Sequence, residues 1–355
     1  MNQVKSDSLN SDKIIRVLVV DDSAFIRVLL TEILESCKNI QVVATAEDPI
    51  DARDKIKKYA PDVITLDVEM PKMDGITFLK NIMRLRPMPV IMVSTLTQTG
   101  ADITLEALEF GAFDFIGKPS SDVKNRLTDL ADDLINKVIA AANCNKLALE
   151  KREYKSTVSS DTVSNYPFKL ITIGASTGGT EAIREVIRQL PLGLPPIVMS
   201  QHIPATFSTS YAKRLNRESI INVREIQSST RLESGYAYLA PGSHHLLVKK
   251  KDGHFWAVLD DGEKVNRHKP SVDVMFNSIV DLGVKDCLGI VLTGMGKDGA
   301  KGLKALKDIG ATTFVQDEET SVVWGMPGAA VKLGAVQHVL PIKRIRSGLL
   351  QACEI

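Results

Sequence analysis

Between Arg16 and about Lys118 the chain alternates five times between a short apolar run and a longer stretch of helical period. The runs Arg16–Val20, Gln41–Thr45, Val63–Leu66, Pro89–Val93 and Phe113–Ile116 are near-continuous rather than alternating. Strands buried on both faces read this way, and in a strand–helix repeat they imply a parallel sheet covered by helices. The spacing predicts helices over Ala24–Ser36, Gly75–Leu85 and Val123–Ala141. A second pattern opens near Phe168, with strands expected at 170–173, 196–200, 222–225, 236–239, 246–249, 256–259 and 288–292. Ala182, Ile183, Val186, Ile187 and Leu190 fall on one face of a helix that follows a glycine-rich turn. Lys251-Asp-Gly253 reads as the tip of an antiparallel hairpin. The predicted class is α/β, with two doubly wound units and a hairpin section in the second.

Residues 143–167 lose apolar periodicity and are dominated by Asn, Lys, Glu, Ser and Thr. The expected organisation is a first unit over 14–130, a linker over 131–164 and a second unit over 165–352. Composition adds little: 44% hydrophobic, 25% charged and a net charge of +1 give no sign of a nucleic-acid partner. Charge is unevenly spread, with 12 Lys/Arg against 16 Asp/Glu over 14–120 and 23 against 18 over 168–355. Cys37, Cys144, Cys287 and Cys353 are scattered, so neither a disulfide framework nor a structural zinc site is expected. Residues 1–13 are polar, and no run approaches the roughly 20 apolar residues that span a bilayer. A cytoplasmic protein without membrane insertion is expected.

Chemistry-bearing residues fall at strand ends. Asp21-Asp22 follows the first strand, Asp67 ends the third, Ser94 the fourth and Lys118-Pro119 the fifth. In a doubly wound sheet these ends converge on one crevice. Three carboxylates there repel unless a hard divalent cation sits among them. Mg²⁺ suits this set, with Asp21, Asp22, Asp67 and the Glu69 backbone carbonyl as ligands. These positions, with Leu66-Asp67-Val-Glu69-Met-Pro71 and Met73-Asp74-Gly75, resemble the receiver domain of two-component response regulators. The resemblance implies a flavodoxin-like five-stranded fold in which Asp67 is the phosphoacceptor and Asp21 and Asp22 help to bind Mg²⁺. It also implies that Ser94 and Lys118 are the switch hydroxyl and counter-ion. Phe115 stands at the usual switch-aromatic position, and Ser94 stands where threonine is common.

In the second half, Gly174-Ala-Ser176-Thr-Gly178-Gly179 places a serine on a sharp turn between a strand and a helix. Backbone donors at a helix N-terminus can hold an oxyanion formed there. Gln201-His202-Ile-Pro204 and Thr293-Gly-Met295-Gly-Lys-Asp298-Gly299 follow two further strands. They supply a base and an acid for a Ser176–His202–Asp298 triad, although the chain order is not that of α/β-hydrolases. Taken alone, Gly174–Thr180 also reads as a phosphate cradle, His202 as a structural histidine and Asp298 as a turn residue. Only their convergence favours an enzyme. Neither His244-His245, which point to opposite faces of a strand, nor His268 reads as a metal ligand; His268 is expected to shape a pocket.

These motifs, with Ala240-Pro-Gly242 and Asn266-Arg-His268-Lys-Pro-Ser-Val-Asp273, are similar to those of the chemotaxis methylesterase (CheB) family, and with the receiver the likeness spans nearly the whole chain. It implies a Rossmann-like catalytic domain that needs no cofactor of its own and carries the triad Ser176, His202 and Asp298. Thr177 and Met295 would lie at the oxyanion site or pocket. The implied activity is phosphorylation-activated hydrolysis of glutamyl methyl esters on chemoreceptors, with deamidation of receptor glutamines. Implied partners are methyl-accepting chemoreceptors and a chemotaxis histidine kinase as phosphodonor. A monomer, recruited to membrane receptor clusters, is expected. Two rivals remain at this point: a DNA-binding response regulator, which would carry a compact basic helix-turn-helix, and a nucleotide-binding module.

Overall fold

The computed structural model describes residues 13–95, 97–118, 123–144 and 167–353. They divide into two compact units, each built on a parallel sheet. The N-terminal part of the chain carries, in order, β1 (Ile15–Val20), α1 (Ala24–Glu35), β2 (Ile40–Ala46), α2 (Pro49–Tyr59), β3 (Val63–Asp67), α3 (Gly75–Leu85), β4 (Val90–Ser94), α4 (Gln98–Glu109), β5 (Asp114–Gly117) and α5 (Val123–Ala142). All of these belong to the first unit except α4, which groups with the second. Strand order is β2-β1-β3-β4-β5, all parallel. The chain reverses direction across the sheet between β1 and β3, which opens a crevice at their C-terminal ends. Ser23, Asp48 and Asp74 cap α1, α2 and α3 by accepting first-turn N–H bonds. An added Cβ at Gly75 would lie 2.0 Å from the Asp67 carbonyl oxygen, so α3 meets the end of β3 only because residue 75 is glycine.

The second unit begins with β6 (Leu170–Ala175), α6 (Gly179–Ile187), β7 (Ile197–Gln201), α7 (Ala205–Glu218), β8 (Asn222–Glu225), β9 (Thr230–Arg231) and β10 (Tyr236–Leu239). It continues with β11 (His245–Lys251), β12 (His254–Asp260), α8 (Val272–Val280), β13 (Cys287–Val291), α9 (Ala300–Asp308), β14 (Thr312–Gln316), α10 (Met326–Lys332), β15 (His338–Leu340) and α11 (Ile342–Cys353). Seven strands form one parallel sheet in the order β15-β14-β13-β6-β7-β10-β8, and β11-β12-β9 form a separate antiparallel sheet. From β6 the chain first builds outward through β7 and then crosses back to β13 on the other side. The crevice lies at the C-terminal ends of β6 and β13.

The apolar face expected of α6 is inside: Ile183, Val186 and Ile187 are fully buried, and Ala182 nearly so. Leu190, also buried, lies just beyond the helix end. Each of the isoleucine, valine and leucine side chains contributes about 1.5–3 kcal/mol, the alanine methyl less. The hairpin turns at Asp252-Gly253, both with positive φ, as a two-residue turn between strands requires. β9, β14 and β15 were not among the expected strands. β14 carries Thr312, Thr313 and Gln316 in a five-residue element, and β15 is a three-residue edge strand with two exposed positions. Such elements form because an existing sheet edge supplies their hydrogen bonds, which leaves little periodic signal. Pro119, residues 145–164 of the expected linker and the first two residues of the expected second unit lie outside the described residues. No described helix is long and apolar enough to cross a membrane.

Helices α8 and α9 pack closely at Gly302, where an added Cβ would lie 2.7 Å from the Phe276 Cβ. Replacing Gly302 with valine should destabilise the second unit by about 1–3 kcal/mol through overpacking. Trp256 and Trp324, the chain's only tryptophans, both lie in this unit, so urea unfolding followed by tryptophan fluorescence measures the loss.

Candidate active site

Three loops meet at the C-terminal ends of β6, β7 and β13. Ser176 is the first residue beyond β6, and its backbone is held on both sides. Its N–H donates to the Thr293 carbonyl at 3.1 Å, while its own carbonyl accepts from Gly179 N at 2.7 Å and Gln201 Nε2 at 2.9 Å. Gly178, with φ near 73°, makes the sharp turn into α6 that a Cβ-bearing residue resists. His202 follows β7, with its N–H on the Ala175 carbonyl at 3.1 Å. Asp298 lies in the loop after β13, 1% exposed.

The imidazole of His202 bridges the other two side chains. Its Nδ1 lies 3.0 Å from Ser176 Oγ and its Nε2 lies 2.8 Å from Asp298 Oδ2. The ring is turned the opposite way from chymotrypsin-type triads, in which Nε2 faces the serine. With Nε2–H donated to the carboxylate, the unprotonated nitrogen is Nδ1, aimed at the hydroxyl. A proton can therefore pass from Oγ to Nδ1 without any ring movement.

Asp298 is held as an anion by its surroundings. Oδ1 accepts from Asn266 Nδ2 at 2.7 Å, Ser271 Oγ at 2.8 Å and Asp273 N at 3.3 Å. Oδ2 accepts from Val272 N at 2.7 Å as well as from His202. Burial alone would raise its pKa, but hydrogen bonds from His202, Asn266 and Val272 outweigh burial and hold the carboxyl well below the usual carboxylate range. Two of the donors are first-turn N–H groups of α8, where the helix dipole also favours negative charge. A second buried carboxyl, Asp273, accepts from Gly302 N at 2.7 Å and Asn266 Nδ2 at 2.9 Å. Burial first, and then the Asp298 charge, raise its pKa.

Asn266, Ser271 and Asp273 thus support Asp298, a role that no spacing rule singled out. The only sequence signal was their presence in one polar segment, Asn266–Asp273, immediately before a helix. Likewise, an added Cβ at Gly242 would lie 2.3 Å from the Ile203 carbonyl oxygen, so glycine there lets the loop after β10 abut the His202 loop. Met326 is fully buried and donates its N–H to the Gly294 carbonyl at 2.8 Å, in the loop that leads to Asp298. Thr177 is buried beside Ser176, with its carbonyl accepting from Thr293 Oγ1 at 3.0 Å. Met295 is half-buried and follows Gly294, whose Cβ position would lie 2.8 Å from the Ser176 Cβ. His245 is buried and satisfied, its Nε2 on the Glu263 carbonyl and its Nδ1 accepting from Ser271 N, whereas His244 bonds Ser243 at the surface.

In the first unit Asp21, Asp22 and Asp67 each offer a carboxylate oxygen, and these atoms lie within 4.8 Å of one another. Lys118 Nζ reaches Asp67 Oδ2 at 2.8 Å and Asp21 Oδ2 at 3.0 Å. Burial, with the neighbouring Asp21 charge, pushes Asp67 up to about 6 despite the lysine. Ser94 is buried at the end of β4, and Glu69 is exposed with its N–H on Asp67 Oδ1 at 3.3 Å. Phe115 is buried, and its carbonyl accepts from Lys137 Nζ at 2.6 Å.

Since its folded-state pKa is depressed, Asp298 contributes stability above the ordinary carboxylate pKa of about 4 and loses that contribution as pH falls below it. Asp298→Ala, which leaves several buried donors without an acceptor, should cost about 3–5 kcal/mol at pH 7 and remove that segment of the acid dependence. Urea titrations between pH 3 and 7, read by tryptophan fluorescence, measure both effects.

Two family models match the chain: CheB methylesterase over residues 171–349 and response regulator receiver domain over 17–131. A protein-glutamate methylesterase/protein-glutamine glutaminase of Hydrogenovibrio crunogenus is 49% identical over 95% of this chain and 98% of its own length. A second relative with that name, from Saccharophagus degradans, is 50% identical over 96% of this chain and 99% of its own. The crystal structure of the Thermotoga maritima CheB methylesterase catalytic domain is similar at 36% identity with a TM-score of 0.51, covering 52% of this chain and 98% of that one. The chain belongs to the CheB methylesterase family, hydrolases that carry a response regulator receiver domain.

Proposed function

We propose that this protein removes methyl esters from glutamate side chains of methyl-accepting chemoreceptors, releasing methanol, and deamidates receptor glutamines to glutamate. The supporting observation is the His202 ring bridging Ser176 Oγ and Asp298. In this reading Ser176 Oγ attacks the γ-carbonyl while its proton passes to His202 Nδ1, and Asp298 stabilises the resulting imidazolium. His202 then returns the proton to the departing methanol or ammonia. Water attacks the acyl-enzyme by the same route, so both activities converge on one γ-glutamyl-Ser176 ester and one glutamate product. Backbone groups at Thr177 and Met295 are assigned to the developing oxyanion.

The proposed division of labour gives regulation to 14–130 and catalysis to 165–352, joined over 131–164. Asp67 is the proposed phosphoacceptor, with a chemotaxis histidine kinase as donor and phosphorylation raising esterase activity. Asp21, Asp22, Asp67 and the Glu69 carbonyl would hold Mg²⁺, which supplies positive charge to balance the added phosphoryl group. The fit rests on three gathered carboxylates and on the burial that disfavours ionisation of Asp67. Lys118 and Ser94 would contact the phosphoryl oxygens, and Phe115 would follow the state of Ser94. The protein is proposed to act as a cytoplasmic monomer recruited to receptor clusters.

Methanol release from methylated receptor membranes, with and without a small-molecule phosphodonor, tests the activity; no release in either condition would defeat it. Ser176→Ala and His202→Ala should each lower kcat by roughly 10⁴–10⁶, with little further loss when combined. Additive losses would argue against a shared proton path. Asp67→Asn removes a buried, disfavoured charge, so without Mg²⁺ it should stabilise the first unit by on the order of 2 kcal/mol at pH 7. It should also abolish most of the Mg²⁺-dependent rise in melting temperature seen by calorimetry.

A further inference from the structure

His268 lies outside the Ser176–His202–Asp298 chain, yet its ring is stacked on the catalytic imidazole. The centroids of His202 and His268 are 3.6 Å apart and the planes are inclined by 11°. His202 is thus bonded at both edges, to Ser176 Oγ and Asp298, and covered on one face. The backbone that presents His268 is built for this placement. Val265 and His268 exchange hydrogen bonds of 3.1 and 2.9 Å across a two-residue turn, and both central residues, Asn266 and Arg267, have positive φ. Asparagine tolerates that conformation and arginine resists it. The same turn directs Asn266 Nδ2 onto Asp298 and Asp273. One tight turn therefore supplies both a ligand for the triad acid and a cover for the triad base.

We infer that His268 is a positioning residue for the esterase reaction, whose flat ring fixes the plane of His202 and stabilises the imidazolium that forms on it in each acyl-transfer step. This inference rests on the acyl-transfer reading given above. A neutral aromatic face laid on a cation attracts it, and more so where water is excluded. A parallel ring at van der Waals distance also blocks rotation of the imidazole about its Cβ–Cγ bond, keeping Nδ1 aimed at Ser176. Among the charged or titratable groups near the pair are Asp298 at the Nε2 edge and Asp273 behind Asn266. Arg267 and Lys269 flank His268 in the chain, the latter paired with Asp261 at 2.8 Å, and Lys297 is exposed beside Asp298. A ring lacking titratable nitrogens would preserve both effects.

The test compares wild type, His268→Ala, His268→Phe and Ser176→Ala in the full chain, using p-nitrophenyl acetate for pH profiles and methylated receptor membranes for methanol release. His268→Ala should lower kcat for the small ester about 10–30-fold with KM little changed. It should also move the acid limb of the kcat profile to lower pH, because the imidazolium has lost its cover. His268→Phe should recover kcat to within a few-fold and restore the acid limb. Tryptophan-monitored unfolding checks that each variant is folded; should phenylalanine not fold there, His268→Tyr replaces it. The inference is overturned if the folded alanine variant keeps wild-type kcat and pH profile, or if the folded aromatic variant is as slow as alanine. If Ser176-dependent cleavage of the small ester persists without methanol release, the receptor-substrate reading fails, while the comparison at His268 still decides this inference.

Discussion

The candidate active site depends on one buried anion. Asp298 draws donors from three places: the imidazole after β7, the Asn266 amide in a tight turn, and the Ser271 hydroxyl with two N–H groups at the start of α8. A carboxylate at that depth is tenable only with its lone pairs filled. The same bonds that keep it charged therefore hold three loops together. His202 is oriented by Asp298, and Ser176 Oγ is within reach because its own backbone is tied to the β7 and β13 loops.

The two units use one architectural rule for opposite electrostatic ends. In each, a parallel sheet reverses its winding and gathers polar residues at the C-terminal strand ends. At β1 and β3 the gathered groups are carboxylates facing one another, and burial together with like charge pushes Asp67 up to about 6. At β6, β7 and β13 the gathered acid, Asp298, is surrounded by donors that outweigh its burial, and its pKa falls. The first arrangement calls for cationic compensation, which Lys118 supplies in part. The second is already compensated and suits a proton transfer between fixed groups.

Close backbone approach accounts for motifs whose chemistry was opaque in the sequence. Gly242 in Ala240-Pro-Gly242 carries no reactive group, but it leaves room for the Ile203–Ala205 backbone to pass. Gly294 similarly admits both Ser176 and Met326 against the loop that leads to Asp298. These residues set distances between loops without taking part in the chemistry.

Continuous apolar runs were enough to locate the five strands of the first sheet and β6, β7, β10 and β13 of the second, because strands buried along most of their length demand them. Strand-end placement likewise singled out Asp21, Asp67, Ser176, His202 and Asp298, since local chemistry and winding geometry are written in consecutive residues. β14 and β15 left no such signal, their pairing being decided by an edge already present. What only the tertiary structure decided is which way the His202 ring faces, that His268 lies flat upon it, and that Asn266, Ser271 and the start of α8 converge on Asp298. Those outcomes arise from contacts between segments many residues apart, where packing and donor geometry select one arrangement that no local pattern encodes.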